Sequence, residues 1–183
     1  SLRANAQLTY NFVGVAGTYT ALSGATSILG ANQDDAISAA SPIGFNFTFG
    51  GTSYTQFKAS TNGWLTFNTA ITTSNAFNDL TATVDRPIIA PLWDDLATNN
   101  AGSVSYLLSG TSPNRILTVQ WDKMFWTFSG STFAINFQVR LFETTNVLEF
   151  VYLRNGNQTA NVTASASASI GLAGQCAGDF YSL

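Results

Sequence analysis

The stretch from Gly44 to Phe67 restricts the fold more than any other part of the chain. Phe45, Phe47 and Phe49 alternate with polar residues, so that on an extended strand all three lie on one face. Gly50-Gly51 follows directly and can adopt the positive φ angles that a two-residue hairpin turn requires. The pattern predicts a β-hairpin whose phenylalanine face lies in the core.

A second turn signal divides the same stretch. Asn62-Gly63 is a dipeptide typical of tight turns between strands, and the apolar run Trp64–Phe67 comes next. The stretch therefore predicts three consecutive antiparallel strands, with Tyr54 and Phe57 on the middle one. We expect the other segments to be arranged around this sheet.

The composition favours strands throughout. Only 9% of the 183 residues are charged, against about 25% in an average soluble domain. Surface helices depend on Glu, Lys and Arg, whereas aromatic residues and Thr are enriched in strands. The chain contains 14 Phe, 6 Tyr and 4 Trp, which points to a β protein.

Further strands follow from period-two alternation. The longest are predicted at 115–126 and at 133–142, where Phe133 begins an apolar face. Shorter strands are predicted at 88–93, 104–108, 147–153 and 168–173, near 36–38, and as two short runs within 8–22. Turns are expected at Asn146 and at Asn155-Gly156.

Two segments carry specific expectations. Pro91 predicts that the 88–93 strand lies at a sheet edge or contains a bulge. Residues 68–86 form a long connection that is expected to carry a helical turn or a binding loop. Residues 23–42 are expected to be a loop apart from the short strand near 36–38.

About ten or eleven strands without a substantial helix predict an all-β fold, an antiparallel, jelly-roll-like β-sandwich. We assign residues 7–183 to one domain of a longer, multidomain protein. Residues 1–6 are assigned to the remnant of a cleaved signal peptide, because Ala4-Asn5-Ala6 fits a cleavage site. The chain has no run of 18 apolar residues, so no membrane span is predicted.

Charge and residue counts exclude several functions. The net charge is −3 and the seven basic residues are scattered, so nucleic-acid binding is not expected. The chain has no histidine and one cysteine, Cys176, which excludes Ser/His/Asp catalysis, a Cys/His zinc site and an internal disulfide. We expect Cys176 to lie buried near a strand end, with an intermolecular disulfide as the alternative.

Glycoside hydrolysis needs only two carboxylates. The acidic candidates are Asp94, Asp95, Asp122, Glu143 and Glu149. No strand places several of them on one face, and the two glutamates flank the turn at Asn146. The sequence therefore predicts a protein that is not an enzyme.

Two Asp-Asp pairs are candidates for metal binding. Asp34-Asp35 and Asp94-Asp95 offer the hard oxygen ligands that Ca²⁺ prefers, and Asn99 and Asn100 lie near the second pair. Adjacent carboxylates on a strand point to opposite faces, so one pair chelates an ion only from a loop. Asp94 and Asp95 are the predicted metal ligands; the alternative is that one Asp of each pair caps a turn.

A cluster of aromatic residues is the candidate ligand or partner surface. Phe125, Trp126 and Phe128 are too close in sequence to be all in the core of an alternating strand. An exposed aromatic face beside polar groups is typical of sugar sites. The alternative is that these side chains pack against the 68–86 connection.

The order of these motifs resembles the nidogen-like extracellular domain. It resembles more closely the N-terminal β-sandwich modules of secreted surface proteins of Bacteroidota-type bacteria. The resemblance covers residues 34–174. The residues that carry it are Gly44, Phe45, Phe47, Gly50, Asn62, Gly63, Trp64, Phe67, Ala90, Pro91, Trp93, Asp94, Asp95, Trp121, Phe137, Gln138, Leu141, Phe150, Tyr152 and Gly171.

The resemblance implies a non-catalytic adhesion or structural module at a cell surface or in a matrix. Its expected partner is a protein or a glycan. Self-association through sheet edges is a further expectation, because low charge leaves edges poorly guarded, and the 8–22 segment is the freest to take part. The alternative function is a carbohydrate-binding, lectin-like module attached to an exported enzyme.

Overall fold

The computed structural model describes residues 7–82, 85–130, 135–154 and 167–183. Over these ranges the protein is all-β, with eleven strands and no helix, as predicted. None of the described residues belongs to a helix that could cross a membrane. The strands are β1 (Thr26–Leu29), β2 (Ser41–Phe49), β3 (Thr52–Ala59), β4 (Leu65–Thr66), β5 (Ile88–Trp93), β6 (Ser103–Ser109), β7 (Ile116–Met124), β8 (Ile135–Phe142), β9 (Leu148–Arg154), β10 (Ser169–Ala173) and β11 (Phe180–Ser182).

The strands form two antiparallel sheets, consistent with the predicted β-sandwich. The orders are β1-β6-β7-β8-β9 and β11-β10-β5-β4-β3-β2. The predicted hairpin is β2–β3, and its turn has φ angles of 54° at Gly50 and 75° at Gly51. Phe45, Phe47 and Phe49 are buried and the residues between them are exposed. The hairpin and its core-facing phenylalanines are confirmed.

Side chains of β7 and β8 form the centre of the core between the sheets. Trp121 stacks on Phe137 with ring centroids 5.1 Å apart, and both are fully buried. The indole Nε1 of Trp121 donates a hydrogen bond to the carbonyl of Ser60 at 2.8 Å. This bond joins the five-stranded sheet to the turn after β3 in the other sheet. The alternation predicted for these strands is confirmed, although Phe133 lies outside the described residues.

Residues 68–82 cover the outer face of the six-stranded sheet. Trp64 and Trp93 pack there with ring centroids 5.8 Å apart. Both indoles donate to the carbonyl of Asn75, at 3.1 and 2.7 Å. The described part of the 68–86 connection contains no helical turn, and the aromatic residues it covers are these tryptophans rather than Phe125–Phe128.

Strand β5 lies inside the six-stranded sheet, between β10 and β4, and all six of its residues are buried. The edge position predicted from Pro91 is therefore wrong. The predicted bulge is confirmed, because the pairing with β10 shifts register between Ser169 and Gly171, opposite Pro91. The bulge accommodates a residue that has no backbone N–H to donate.

The two strands predicted within 8–22 are absent from residues 7–22. The backbone there bonds to side chains on the outer face of the five-stranded sheet instead of to another strand. Gln138 Nε2 donates to the carbonyl of Thr20 at 2.8 Å, and the amide of Leu22 donates to Gln120 Oε1 at 2.9 Å. The segment covers these two glutamines, which are buried.

Other elements differ from expectation at the sheet edges. The 23–42 region contains β1, and the strand predicted near 36–38 is a single bridge from Ile37 to Ser60. Strand β11 was not predicted. Both β1 and β11 are edge strands with little burial, so no apolar alternation marks them. The predictions for residues 1–6 and 155–156 lie outside the described residues.

The N-terminal segment contacts β11 and the turn before it through Leu8. The amide of Leu8 donates to Asp179 Oδ1 at 2.9 Å, and the hydroxyl of Tyr181 donates to the carbonyl of Leu8 at 3.1 Å. Leu8 is itself buried in the core. These contacts hold the first described residues against the last strand.

Arg86 connects the 68–86 connection to the turn between β10 and β11. Its buried guanidinium donates to the carbonyls of Gly174, Cys176 and Asp179 at 3.0–3.1 Å, and to that of Leu80 at 2.7 Å. Burial lowers the pKa of Arg86. Cys176 lies in this turn as a half-buried free cysteine.

Substitution of Gly63 tests how tightly the turn after β3 is packed. Its φ is 76°, and a Cβ there would lie 1.9 Å from the carbonyl oxygen of Leu92. Gly24 has a similar φ of 73° with nothing within 4 Å of a Cβ. We expect Gly63→Ala to lower the free energy of unfolding by more than about 3 kcal/mol, and Gly24→Ala by only about 1–2 kcal/mol. Urea denaturation measures both, and equal losses would contradict the packing argument.

Candidate functional site

The Asn-Gly turn between β3 and β4 is buried, although most turns lie at the surface. Residues 60–62 are 0% exposed. The carbonyl of Asn62 accepts a hydrogen bond from the amide of Asp94 at 3.2 Å, and that of Gly63 accepts one from Leu92 at 3.3 Å. The turn therefore fixes the end of β5, from which Asp94 and Asp95 follow.

The loop of residues 32–36 lies against the same turn. The amide of Ala36 donates to Thr61 Oγ1 at 3.0 Å, and the amide of Thr61 donates to the carbonyl of Ala36 at 2.9 Å. In the same way, the amide of Gln33 donates to Thr98 Oγ1 at 2.9 Å, and the amide of Thr98 donates to the carbonyl of Gln33 at 3.0 Å. These bonds bring the first Asp pair next to the second.

Asp34, Asp35 and Asp95 form an acidic cluster. One carboxylate oxygen of each lies within 4.8 Å of the others, and all three residues are exposed. The pKa values of Asp34 and Asp95 are raised, first by partial burial and then by the nearby charge of Asp35. Three hard oxygen donors at this spacing are able to hold a divalent cation.

A buried amide, that of Asn62, is in contact with the acidic cluster. Asn62 Nδ2 donates to Asp35 Oδ1 at 2.8 Å and to Ser74 Oγ at 3.0 Å. The Oδ1 atom of Asn62 is excluded from solvent and has no hydrogen-bond partner. The same is true of Gln33 Oε1 and Asn99 Oδ1. Unpaired buried oxygens are uncommon in native proteins, and each calls for a physical explanation.

The structure places Asp94 outside the acidic cluster. Its carboxylate accepts the amide of Asp95 at 2.9 Å and the amide of Ser167 at 3.0 Å. These are capping bonds, which the sequence offered as the alternative. Of the predicted pair, only Asp95 belongs to the acidic cluster. Asp34 and Asp35, which were candidates but not the predicted ligands, supply the other two carboxylates.

The predicted aromatic surface is divided between core and solvent. A bulge within residues 121–124 turns the chain after β7. Phe125 then pairs with Ala97 and is buried, and Trp126 is half-buried against the core. Phe128 is 53% exposed. The structure therefore leaves Phe128 as the exposed aromatic face of this group.

The two glutamates form ion pairs with arginines on neighbouring strands. Glu143 Oε2 accepts from Arg115 Nε at 2.8 Å, and Glu149 Oε2 accepts from Arg140 at 3.0 Å. Hydrogen bonding to Arg115 lowers the pKa of Glu143 to about 2. A glycosidase needs a carboxylic acid that stays protonated near neutral pH, which is the opposite shift. Glu143 therefore lacks the property of a general acid.

Comparison with known proteins identifies one family. Residues 9–183 match the family model described as NIDO related. The comparisons with curated proteins and with solved structures found no match.

The ion pair of Glu143 predicts a specific response to acid. Because its folded pKa of about 2 lies below the ordinary value of 4.5, its stabilising contribution is complete above pH 4.5 and is lost as the pH falls toward 2. We expect Glu143→Gln to lower stability at neutral pH and to flatten the loss of stability over this acidic range. Urea denaturation at a series of pH values measures this. Parallel curves for the two proteins would show that the ion pair does not stabilise the fold.

Proposed function

The chain belongs to the NIDO-related family, and from this premise we propose that it is a non-catalytic adhesion or structural module. The nidogen-like domain points to an extracellular protein. Adhesion or matrix building is the role we infer for it there. Its export by a cleaved signal peptide and its place in a bacterial surface protein are parts of the same proposal.

The observation that best supports a role without catalysis is the engagement of four acidic side chains outside the acidic cluster. Glu143 and Glu149 are held by arginines, Asp94 caps the end of β5, and Asp179 binds the amide of Leu8. Each of these carboxylates has a structural partner. Catalysis by paired carboxylates needs groups that are free to exchange protons with a substrate.

Sheet edges supply the surface for assembly. Strand β2 is protected from pairing with another chain, because side chains already bind its edge. Arg115 donates to the carbonyl of Gly44 and Asn146 accepts from the amide of Thr48, both at 2.7 Å. Strand β9 is one edge of the other sheet, opposite β1, and exposes Tyr152 and Leu153. Exposed apolar groups on an edge strand favour pairing with another chain. We place self-association at β9.

Carbohydrate binding is the second candidate function, and Phe128 is the observation that favours it. Its exposed ring lies two residues after the half-buried Trp126. Aromatic faces of this kind stack on sugar rings in many binding sites. In this case the chain would be the lectin-like module of an exported enzyme.

Self-association is tested by analytical ultracentrifugation over a dilution series. We expect oligomers that grow with concentration and that Leu153→Lys disperses, because a charge on an edge strand opposes pairing. Val13→Lys is the matched control, since Val13 is 77% exposed but lies in the N-terminal segment. A wild-type protein that stays monomeric would contradict assembly. Dispersal by Val13→Lys alone would move the interface to that segment.

Glycan binding is tested by retention on immobilised polysaccharides and on a glycan array. We expect no retention if the module acts through protein contacts. Retention that falls at least about tenfold in Phe128→Ala, the loss of roughly one stacking contact, would establish the carbohydrate-binding alternative. Phe77→Ala is the control, because Phe77 is more exposed than Phe128 and lies in the loop after β4.

A further inference from the structure

We propose that the acidic cluster is a calcium-binding site, with ligands from Asp34, Asp35, Asp95 and the buried amide of Asn62. The proposal does not depend on which partner the module binds. The site joins Asp34 and Asp35 to Asp95, which is far away in sequence.

The spacing of the carboxylates suits Ca²⁺. Calcium binds six to eight oxygens at about 2.3–2.6 Å, so two oxygens on one ion lie at most about 5 Å apart. The carboxylate oxygens of Asp34, Asp35 and Asp95 all lie within 4.8 Å of one another. Mg²⁺ demands a nearly octahedral arrangement, whereas Ca²⁺ accepts the irregular set that two loops supply.

The charge of the acidic cluster calls for a cation. The ion pairs found among the described residues are those of Arg115 and Arg140, and neither arginine pairs with the cluster. No basic side chain among the described residues therefore forms an ion pair with the three carboxylates. Like charges held this close oppose folding unless an ion neutralises them.

Unpaired buried oxygens give independent support. Asn62 is 0% exposed, and its side-chain amide is in contact with Asp35 through Nδ2, at 2.8 Å. The carbonyl oxygen of the same amide has no partner. Half a turn of the amide exchanges its nitrogen and oxygen and presents the oxygen to the carboxylates. A cation among the carboxylates favours that orientation and satisfies the oxygen.

A further orphaned oxygen borders the same loop. Gln33 directly precedes Asp34, and its Oε1 is buried without a partner among the described residues. Water molecules that complete the coordination of Ca²⁺ are donors to such oxygens. A bound ion would thus tie the 32–36 loop to the end of β5 and to the buried turn.

Calorimetry and thermal unfolding of the wild-type protein, with Ca²⁺ or with EDTA, test the proposal. We expect a heat of binding and a rise in Tm of about 5–10 °C at a calcium concentration about 100 times the Kd. Tb³⁺ luminescence excited through tryptophan is a second measurement that needs no variant. We expect Ca²⁺ to displace Tb³⁺ and to quench this emission. No heat and no rise in Tm would overturn the proposal.

Asp34→Asn and Asp95→Asn separate ion binding from a structural role. Both variants should lose the rise in Tm with Ca²⁺, and in EDTA both should melt at or above the wild-type Tm because a repulsive charge is gone. Asp122→Asn makes the same charge change on β7 and should keep the full rise. A rise that persists in both cluster variants, or that Asp122→Asn also abolishes, would show general screening and overturn the site.

Discussion

The fold depends on the buried polar turn between β3 and β4, where several loops of the sandwich come together. Polar backbone groups removed from water must find partners, and residues 60–64 find theirs partly within the turn and partly in segments far away in sequence. Ser60 accepts from Trp121 of the opposite sheet, Thr61 pairs with Ala36, and Gly63 accepts from Leu92. The sandwich, the loop before β2 and the end of β5 are thus fixed by one set of hydrogen bonds. The absence of a side chain at position 63 allows this close approach.

The low charge of the chain agrees with how its sheets are covered. The six-stranded sheet has a second apolar layer beneath residues 68–82, and the outer face of the five-stranded sheet is partly covered by residues 18–22. Two of the seven basic side chains are buried rather than exposed to solvent. Lys58 donates to the carbonyl of Ile71, and Arg86 binds carbonyls of two loops. With much of its sheet surface covered by its own loops, the protein has little need of a charged exterior.

Period-two patterns of apolar residues predicted the strands that lie in the core, and failed for strands that bury few side chains. The faces of β2, β7 and β8 could be read from Phe47, Val119 and Val139 and their neighbours. Edge strands β1 and β11 bury too little for a pattern to appear. The 8–22 segment alternates like a strand, yet Gln120 and Gln138 bind its backbone through side chains, which no local pattern encodes.

The candidate site was predicted only in part, because tertiary contacts that no local pattern encodes decide which side chains come together. The sequence indicates two Asp pairs and one aromatic group, and it names Asp95 and Phe128 among them. It does not show that a turn directs Asp94 toward Ser167 and leaves Asp95 beside Asp35. Nor does it show that a bulge after Trp121 places Phe125 in the interior. Both outcomes depend on tertiary contacts across tens of residues.

The contact of Leu8 with Asp179 and Tyr181 determines how the molecule would respond to tension. Chain that enters at Leu8 and leaves beyond Tyr181 crosses the boundary of the sandwich at one place. A pulling force applied there would open these hydrogen bonds one at a time, rather than shear the long β7–β8 ladder all at once. The end segments would peel away first and add length while the core stayed folded.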